Sequence, residues 1–181
     1  MMRQSINFGL AVVFSVGMPL SAQLPSVPQA TKVYAGPTSA ADSLDLAIAI
    51  FRAATERGTY TAHPAPLPRL VCLARSGEGE ADPPAAVLAA LKQIDTLLVR
   101  PMSACRHQPA PRRTPTVTDT LTGQRGISIW AAAPKFTRGD GSFEVRLGYG
   151  EHGRSAAVWQ CTGRRHDGRW EVSACRAIMS A

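Results

Sequence analysis

The sequence predicts an α+β domain in which two N-terminal helices, with short strands, pack on a C-terminal antiparallel meander of about four strands. Residues 42–95 contain two stretches with apolar residues at helical spacing, and the last third contains four stretches in which apolar and polar residues alternate. Turn sequences rich in glycine and aspartate join those four stretches, and strands joined by short loops pair antiparallel. A mainly-β fold is the alternative to this arrangement.

The first helix is predicted at residues 43–57. Leu44 and Ile48 begin a series of apolar residues that falls near one face of a helix. Asp42 is placed to cap the N-terminus, and Gly58 follows the pattern at a position where helices commonly end. This helix therefore has one apolar side to bury against the sheet.

Short strands and a second helix come next. Residues 69–74 form an apolar run between a proline-rich stretch and a polar loop, which indicates a buried strand. Residues 83–95 begin with two prolines and then repeat apolar residues at helical spacing, which predicts the second helix. Residues 96–100 form a further strand, ended by Pro101. Residues 106–120 are rich in proline, arginine and threonine, and we expect an internal loop there.

The meander strands are predicted at residues 126–133, 143–149, 156–163 and 169–179. The order of elements over residues 42–181, helices first and then a curved antiparallel sheet, resembles that of nuclear-transport-factor-like cone folds. No motif carries this resemblance, so it transfers no functional residue. It adds a cone-like fold as a second alternative.

The start of the chain has the composition of an export signal. Arg3 precedes an apolar run, residues 6–18, that is shorter than a membrane-spanning helix, and small residues near Ala22 suit cleavage after that residue. An uncleaved anchor is the alternative, and no transmembrane helix is expected in the mature chain. The expected organisation of this periplasmic or secreted protein is a signal peptide at residues 1–22, a flexible tail at residues 23–41 and one domain at residues 42–181.

The four cysteines indicate two disulfides in an oxidising compartment. The Asp-Gly sequence at residues 167–168 predicts a hairpin, in which a three-residue loop sets Cys161 opposite Cys175. A two-residue loop needs a bulge to give the same pairing. Elimination then pairs Cys72 with Cys105. The cysteines and histidines are too dispersed for a zinc site, and neither a metal nor a cofactor is predicted.

The formal net charge is +7, and the basic excess falls in residues 100–181. Guanidinium groups pair well with phosphate and carboxylate, so a basic surface can bind an anionic polymer or lipid headgroups. The export signal and the lack of a recognisable motif argue against nucleic acid. The possible anionic-ligand contacts are Arg106, Arg112, Arg113, Arg164, Arg165 and Arg169.

Two short segments match the sequence of a functional motif but lack the structural context that the motif requires. Residues 148–153 match a dinucleotide fingerprint, but that fingerprint leads from a strand into a helix, and strands are predicted on both sides here. A glycine-rich hairpin turn is the better interpretation. Ser155 lies close in sequence to Glu151 and His152, but a nucleophile-elbow sequence is missing and sequence neighbours rarely form a triad.

The tryptophans are interpreted as core residues. Trp159 is expected on the same face as the hairpin disulfide and Trp170 on the other face, while Trp130 lies on an earlier strand. The open side of the sheet is expected to carry Glu144, Arg146, Arg165 and Glu171.

These features predict binding without catalysis, by a small exported domain that contacts a protein partner or an envelope component through its sheet face or its basic loops. One alternative is an enzyme with an acid–base site in a cone-like cavity, formed by Glu144, Glu151 and His152. The other alternative is electrostatic binding of an anionic polymer or of lipid headgroups through the arginines.

Overall fold

The computed structural model describes residues 36–61, 69–76, 81–110, 113–137, 139–152 and 155–180. The expected signal peptide, its cleavage after Ala22 and most of the expected tail lie outside these residues. The described helices are α1 (Ala40–Thr61) and α2 (Ala85–Leu91), with a short 3-10 helix at Met102–Ala104. The described strands are β1 (Arg69–Ser76), β2 (Leu97–Pro101), β3 (Cys105–Ala110), β4 (Arg113–Asp119), β5 (Arg125–Ala132), β6 (Lys135–Phe136), β7 (Phe143–His152), β8 (Ser155–His166) and β9 (Arg169–Ser180).

These strands form one mixed sheet, whose main order is β2-β1-β5-β7-β8-β9. Strand β1 runs parallel to both of its neighbours, β2 and β5, whereas β5, β7, β8 and β9 pair antiparallel in succession. The β3–β4 hairpin attaches to the first residues of β5, and β6 attaches to β7. The protein is therefore mostly β.

The predicted fold class is wrong. Strands do form in the four C-terminal stretches, but β1 and β2 extend the same sheet instead of covering it, so the fold is neither two helices on a four-strand meander nor a cone. Strand β1 shows why the sequence misleads, because its residues from Arg69 to Ala74 are all buried, as in a parallel strand covered on both faces. Such an apolar run indicates a strand with a partner on each side, but its sequence does not identify those partner strands.

The residues expected to form an internal loop form the β3–β4 hairpin instead. Arg106 pairs with Thr118 across the hairpin, and the register shifts around Pro109, which has no amide hydrogen to give to the ladder. Val117 and Asp119 of β4 are buried. Proline is tolerated here because the hairpin is peripheral and irregular, and the high proline content hides the strand pattern in the sequence.

Helices α1 and α2 cover one face of the sheet. Leu46, Ile50 and Phe51 of α1 belong to a cluster of buried side chains that includes Ile129 and Leu147 from the centre of the sheet. A smaller cluster lies on the opposite face, beneath the 3-10 helix and the β3–β4 hairpin, and comprises Leu70, Cys72, Ala74, Met102 and Val117. Burial of both faces near β1 and of only one face near β8 leaves part of the sheet open.

Helix α1 begins earlier than predicted, and its cap is different. The helix starts at Ala40, and the Oγ of Ser39 accepts a hydrogen bond from the Asp42 N–H at 3.1 Å. Asp42, the predicted cap, lies in the first turn, where its carboxylate accepts hydrogen bonds from Thr38 and from the distant Trp170. Those partners hold the Asp42 side chain away from the helix amides, and a serine takes the capping position.

The β8–β9 hairpin turns over two residues, so of the two routes predicted for the Cys161–Cys175 pairing it uses the bulge and not the three-residue loop. Asp167 and Gly168 have positive φ values of 47° and 79°, as a type I′ turn requires. His166 and Arg169 close the turn as paired residues. A bulge at Ser173 on β9 then adds one residue to that strand and restores the parity that the cysteines need.

Both disulfides are the predicted pairs. Cys161 is bonded to Cys175 across the hairpin, with 4.0 Å between their Cα atoms. Cys72 of the buried strand β1 is bonded to Cys105 at the start of β3, with 6.3 Å between their Cα atoms. Two disulfides are compatible with an extracellular protein.

The bulge also decides which face carries Trp170. The prediction that this residue lies on the face away from Cys161 is wrong, because the extra residue reverses the alternation between Cys175 and the turn. Trp170 is 4% exposed and lies in the helix-covered core. Its ring packs at a steep angle against both Phe136 and Phe143, with 5.8 Å between ring centroids in each pair.

Candidate functional site

A cavity of about 520 Å³ lies between the first half of α1 and the carboxyl ends of the parallel strands β1 and β5. Leu46, Ile50 and Phe51 form its helical wall, and Phe136 closes one side. Three successive alanines at residues 131–133 form the wall from β5 and its end. Because these side chains are small, the space opposite the large α1 residues stays unfilled. None of the described residues that line the cavity is Asp, Glu, His or Cys.

Arg75 is the one charged residue among the described residues that line this cavity. It lies near the carboxyl end of β1, is exposed, and donates its Nε–H to the carbonyl oxygen of Asp82 at 3.1 Å. Within the described chain, its guanidinium has no ion pair. The cavity therefore combines apolar walls with one positive charge that has no ion-pair partner among the described residues.

The second candidate surface is the uncovered part of the sheet face opposite the helices, which we call the open face. One row across it is apolar and runs through Trp130, Gly148, Val158 and Met179 in register. Trp130 fills the space above Gly148, because a Cβ at that glycine would come within 2.3 Å of the indole. Trp130 and Val158 are half-buried, and Met179 is 57% exposed.

A polar row lies beside the apolar row on the open face. Arg146, Gln160 and Arg176 occupy paired positions on β7, β8 and β9. The Gln160 Oε1 accepts a hydrogen bond from the Arg146 Nε–H at 3.2 Å, and the Gln160 amide donates to Glu144 at 3.4 Å. The open face thus presents hydrophobic area next to side chains that are already positioned by hydrogen bonds.

Three of the four residues expected on the open side lie there. Glu144 and Arg146 belong to the hydrogen-bonded set just described, and Glu171 lies between two residues that face the core, Trp170 and Val172. Arg165 does not lie there. Its guanidinium is 5.7 Å from the centroid of the buried Trp170 ring, on the helix-covered side.

The described arginines predicted as anionic-ligand contacts lie on two different hairpins. One group lies on the β3–β4 hairpin, which attaches to the first residues of β5. The other lies at the turn of the β8–β9 hairpin, at the end of the sheet where β5 finishes and β6 pairs with β7. The first group is Arg106 and Arg113, the second is Arg164, Arg165 and Arg169, and Arg112 lies outside the described residues.

The three residues considered for an acid–base site do not converge. Glu144 and Glu151 lie at opposite ends of β7. The Oε2 of Glu151 is 3.5 Å from the Ser155 hydroxyl, which is 3.4 Å from the Tyr149 hydroxyl, and both distances are at the outer limit for hydrogen bonds. His152 pairs with Ser155 through the backbone, at the turn between β7 and β8. The glycine motif lies on the same strand and turn, without a following helix.

Asp42 joins the start of α1 to the β8–β9 hairpin. Its Oδ1 accepts the indole N–H of Trp170 at 2.6 Å, and its Oδ2 lies 3.2 Å from an Arg165 guanidinium nitrogen. The hydrogen bond from the Thr38 amide lowers the pKa of Asp42, with further lowering by Trp170 and Arg165 and opposition from burial. Arg165 thus has a partner inside the molecule.

Asp119 holds the opposite end of the sheet. Its carboxylate accepts the Leu121 N–H at 3.0 Å and pairs with the Arg100 Nε at 3.2 Å. These contacts, with the Leu121 amide first, lower the pKa of Asp119 against the opposing effect of burial. Both low-pKa carboxylates are therefore explained by contacts that hold turns and helix ends in place.

The stability of the protein should fall as the pH drops below about 4. The contacts just described lower the pKa values of Asp42 and Asp119 in the folded state, so their stabilising contributions are present above the unfolded-state pKa and are lost as the pH falls through the folded-state pKa values. Urea unfolding at pH 6, 4 and 3 should show this decline, and Asp42→Asn should make it shallower. Asp95→Asn, at an exposed position, is the control, and an identical decline in the Asp42 variant would contradict the assignment.

Sequence analysis missed the cavity and Arg75. The feature that could have indicated the cavity is the alanine run at residues 131–133, because small side chains leave space unfilled. The large side chains that face this space come from α1, which is distant in sequence, so the sequence alone does not bring the two together. Arg75 looked like an ordinary loop residue because its position at the rim depends on the parallel pairing of β1 with β5.

Fold and surfaces together define a disulfide-bonded, mixed-sheet domain with an apolar cavity beside its first helix and an open sheet face. Comparison with known proteins gives no relative, since no family model, curated protein or solved structure matches the chain. Within the described ranges, no helix has both the length and the apolar character needed to cross a membrane. The same ranges contain no group of three or more His, Cys, Asp or Glu side chains able to hold a metal ion.

Proposed function

We propose that this protein is a small exported domain, periplasmic or secreted, that binds a protein partner or an envelope component and does not catalyse a reaction. Export would follow from a signal peptide at residues 1–22, cleaved after Ala22. The disulfides support this compartment, because such bonds persist where thiols are oxidised.

The observation that carries the binding proposal is the open face. Its apolar row, with Trp130, Val158 and Met179, is partly exposed to solvent and lies directly beside the polar row of Arg146 and Gln160. Interfaces combine a hydrophobic centre with a polar rim, and tryptophan, methionine and arginine are enriched in them. We infer that a partner covers the apolar row and hydrogen-bonds to the polar row.

The geometry favours binding over acid–base chemistry. General acid–base catalysis needs its groups within hydrogen-bond reach of one substrate, and Glu144 lies at the other end of β7 from Glu151 and His152. The cavity offers no alternative acid or base among its described lining residues. Binding of a partner through the open face is therefore the function that these side chains support best.

Electrostatic binding of a polymer receives less support. The described candidate arginines are divided between the β3–β4 and β8–β9 hairpins, and Arg165 is paired with Asp42. The open face itself carries Glu144 beside Arg146, so its charge is mixed. Affinity for the partner should therefore fall less than about tenfold between 50 and 500 mM salt, whereas contact through several arginines would lose about a hundredfold or more.

A photo-crosslinking experiment in the exported protein tests the location of this interface. A benzophenone side chain at Val158 should give a specific adduct, and the same side chain at Ala89, exposed on α2, should not. Arg146→Ala should reduce the adduct yield about fivefold, as expected for an interface residue worth more than 1 kcal/mol. Arg106→Ala, exposed on β3, is the charge-matched control and should leave the yield unchanged.

Adducts from Ala89 alone, or a yield that depends on Arg106 and not on Arg146, would contradict binding through the open face. A substrate turned over by the purified protein, with activity lost in Glu151→Gln, would contradict the assignment to a non-catalytic class.

A further inference from the structure

We propose that the cavity beside α1 binds an amphiphile with one anionic head and one unbranched apolar chain, such as a medium-chain carboxylate. The head would pair with Arg75 at the rim, and the chain would lie between α1 and the end of β5. This site is separate from the open face, on the other side of the sheet, and the proposal does not depend on the proposed partner interface.

The size and walls of the cavity suit an alkyl chain. Its volume of about 520 Å³ is within the range of small-ligand sites, about 300 to 1,000 Å³. Leu46, Ile50 and Phe51 supply one wall and Phe136 another, and the alanines at residues 131–133 supply a surface without branched side chains. A chain inserted there exchanges water for apolar contacts along its length. Each added methylene should therefore tighten binding about fourfold.

Arg75 supplies the charge that selects the head group. Its Nε–H is used by the Asp82 carbonyl, which fixes the guanidinium at the rim, and the described chain provides no carboxylate partner for it. A guanidinium held in this way can donate its remaining N–H groups to a carboxylate in a planar arrangement. None of the described lining residues is acidic, so none of them would repel an anionic head.

The cavity also excludes other ligand classes. A polar ligand such as a sugar would leave its hydroxyl groups unpaired against Ile50 and Phe51, and burial of unpaired polar groups is unfavourable. A neutral apolar ligand would fill the chain space but would gain nothing from Arg75. Comparing an acid with the alcohol of equal chain length therefore isolates the contribution of the head.

The test is calorimetric titration of the exported protein with decanoate, octanoate and decanol, each below its micelle or solubility limit. Decanoate should bind about tenfold more tightly than decanol, because a charge-assisted hydrogen bond is worth at least that factor. Octanoate, two methylenes shorter, should bind about fifteenfold more weakly than decanoate.

Variants assign the binding to this cavity. Arg75→Gln should weaken decanoate about tenfold and leave decanol unchanged, Arg75→Lys should restore part of the loss, and Arg125→Gln, at the other end of β5, should change neither. Ala47→Phe should fill the cavity and weaken both ligands. Ala133→Phe, at an exposed lining position, should also weaken binding of both ligands without adding volume to the buried core. Near-ultraviolet circular dichroism checks that each variant is folded.

Equal affinities for decanoate and decanol in the unsubstituted protein would overturn the role of Arg75. Unchanged decanoate binding in folded Ala47→Phe and Ala133→Phe would overturn the location. No measurable binding of any of the three compounds would overturn the site itself, while leaving the open-face interface unaffected.

Discussion

Replacing both Cys72 and Cys105 with alanine should lower the free energy of unfolding by about 4 kcal/mol. The two residues are separated by 33 positions, and cross-linking a segment of that length removes chain entropy of this size from the unfolded state. Cys72 is fully buried on β1, and Cys105 begins the peripheral β3–β4 hairpin. The bond therefore fastens the peripheral β3–β4 hairpin to a fully buried part of β1.

Urea unfolding of the exported protein, with and without the double substitution, measures this effect. The matched comparison replaces Cys161 and Cys175, whose separation of 14 predicts a smaller loss of about 3 kcal/mol. Hydrogen exchange should be accelerated in β3 and β4 for the first variant and not for the second. A loss below about 1 kcal/mol for the Cys72 variant would mean that the hairpin is held by its packing alone.

Trp170→Ala should also destabilise the protein strongly, by about 4 kcal/mol. The indole is almost fully buried, packs against Phe136 and Phe143, and donates its N–H to Asp42 at 2.6 Å. Its removal leaves a void in the core and takes one hydrogen bond from a carboxylate that is itself mostly buried. Helix α1 would lose one of the contacts that hold its first turn to the hairpin, and the ion pair between Asp42 and Arg165 would remain.

Two further substitutions separate the causes of this effect. Trp170→Phe keeps most of the packing and removes only the N–H donor, so its expected loss is about 1 to 2 kcal/mol. Trp130→Ala, on the half-buried row of the open face, removes a tryptophan of equal size and should have a clearly smaller effect than Trp170→Ala. Equal losses of unfolding free energy in Trp170→Ala and Trp130→Ala would show that neither the Asp42 contact nor the core position of Trp170 adds to its stabilising effect.

The sequence predicted those features of the fold that depend on local pattern. The Asp-Gly turn and the alternation around it predict the β8–β9 hairpin, and parity alone requires either an odd loop or a bulge if Cys161 is to meet Cys175. The choice between the two was not predictable, because Ser173 resembles its neighbours and carries no signal for an extra residue. Counting from a three-residue loop, without the bulge, also placed Trp170 on the wrong face of the sheet.

Partners of the early strands were outside the reach of sequence patterns. The apolar run at the start of β1 predicts burial, but its pairing with β2 and β5 depends on contacts across long stretches of chain. The candidate site residues also divide into those placed by local alternation and those placed by contacts between distant strands. Arg146 and Gln160 could be placed on one face by alternation, whereas Arg75 gains its position only from the parallel pairing of strands distant in sequence.

The bulge at Ser173 links covalent chemistry to folding accuracy. Continued pairing from the two-residue turn, without the extra residue, would set Cys161 against Ala174 and leave Cys175 on the reverse side of the ribbon. With the two-residue turn in place, the thiols come within bonding distance only when Ser173 is accommodated as the extra residue, so the Cys161–Cys175 bond locks this one register of the ribbon.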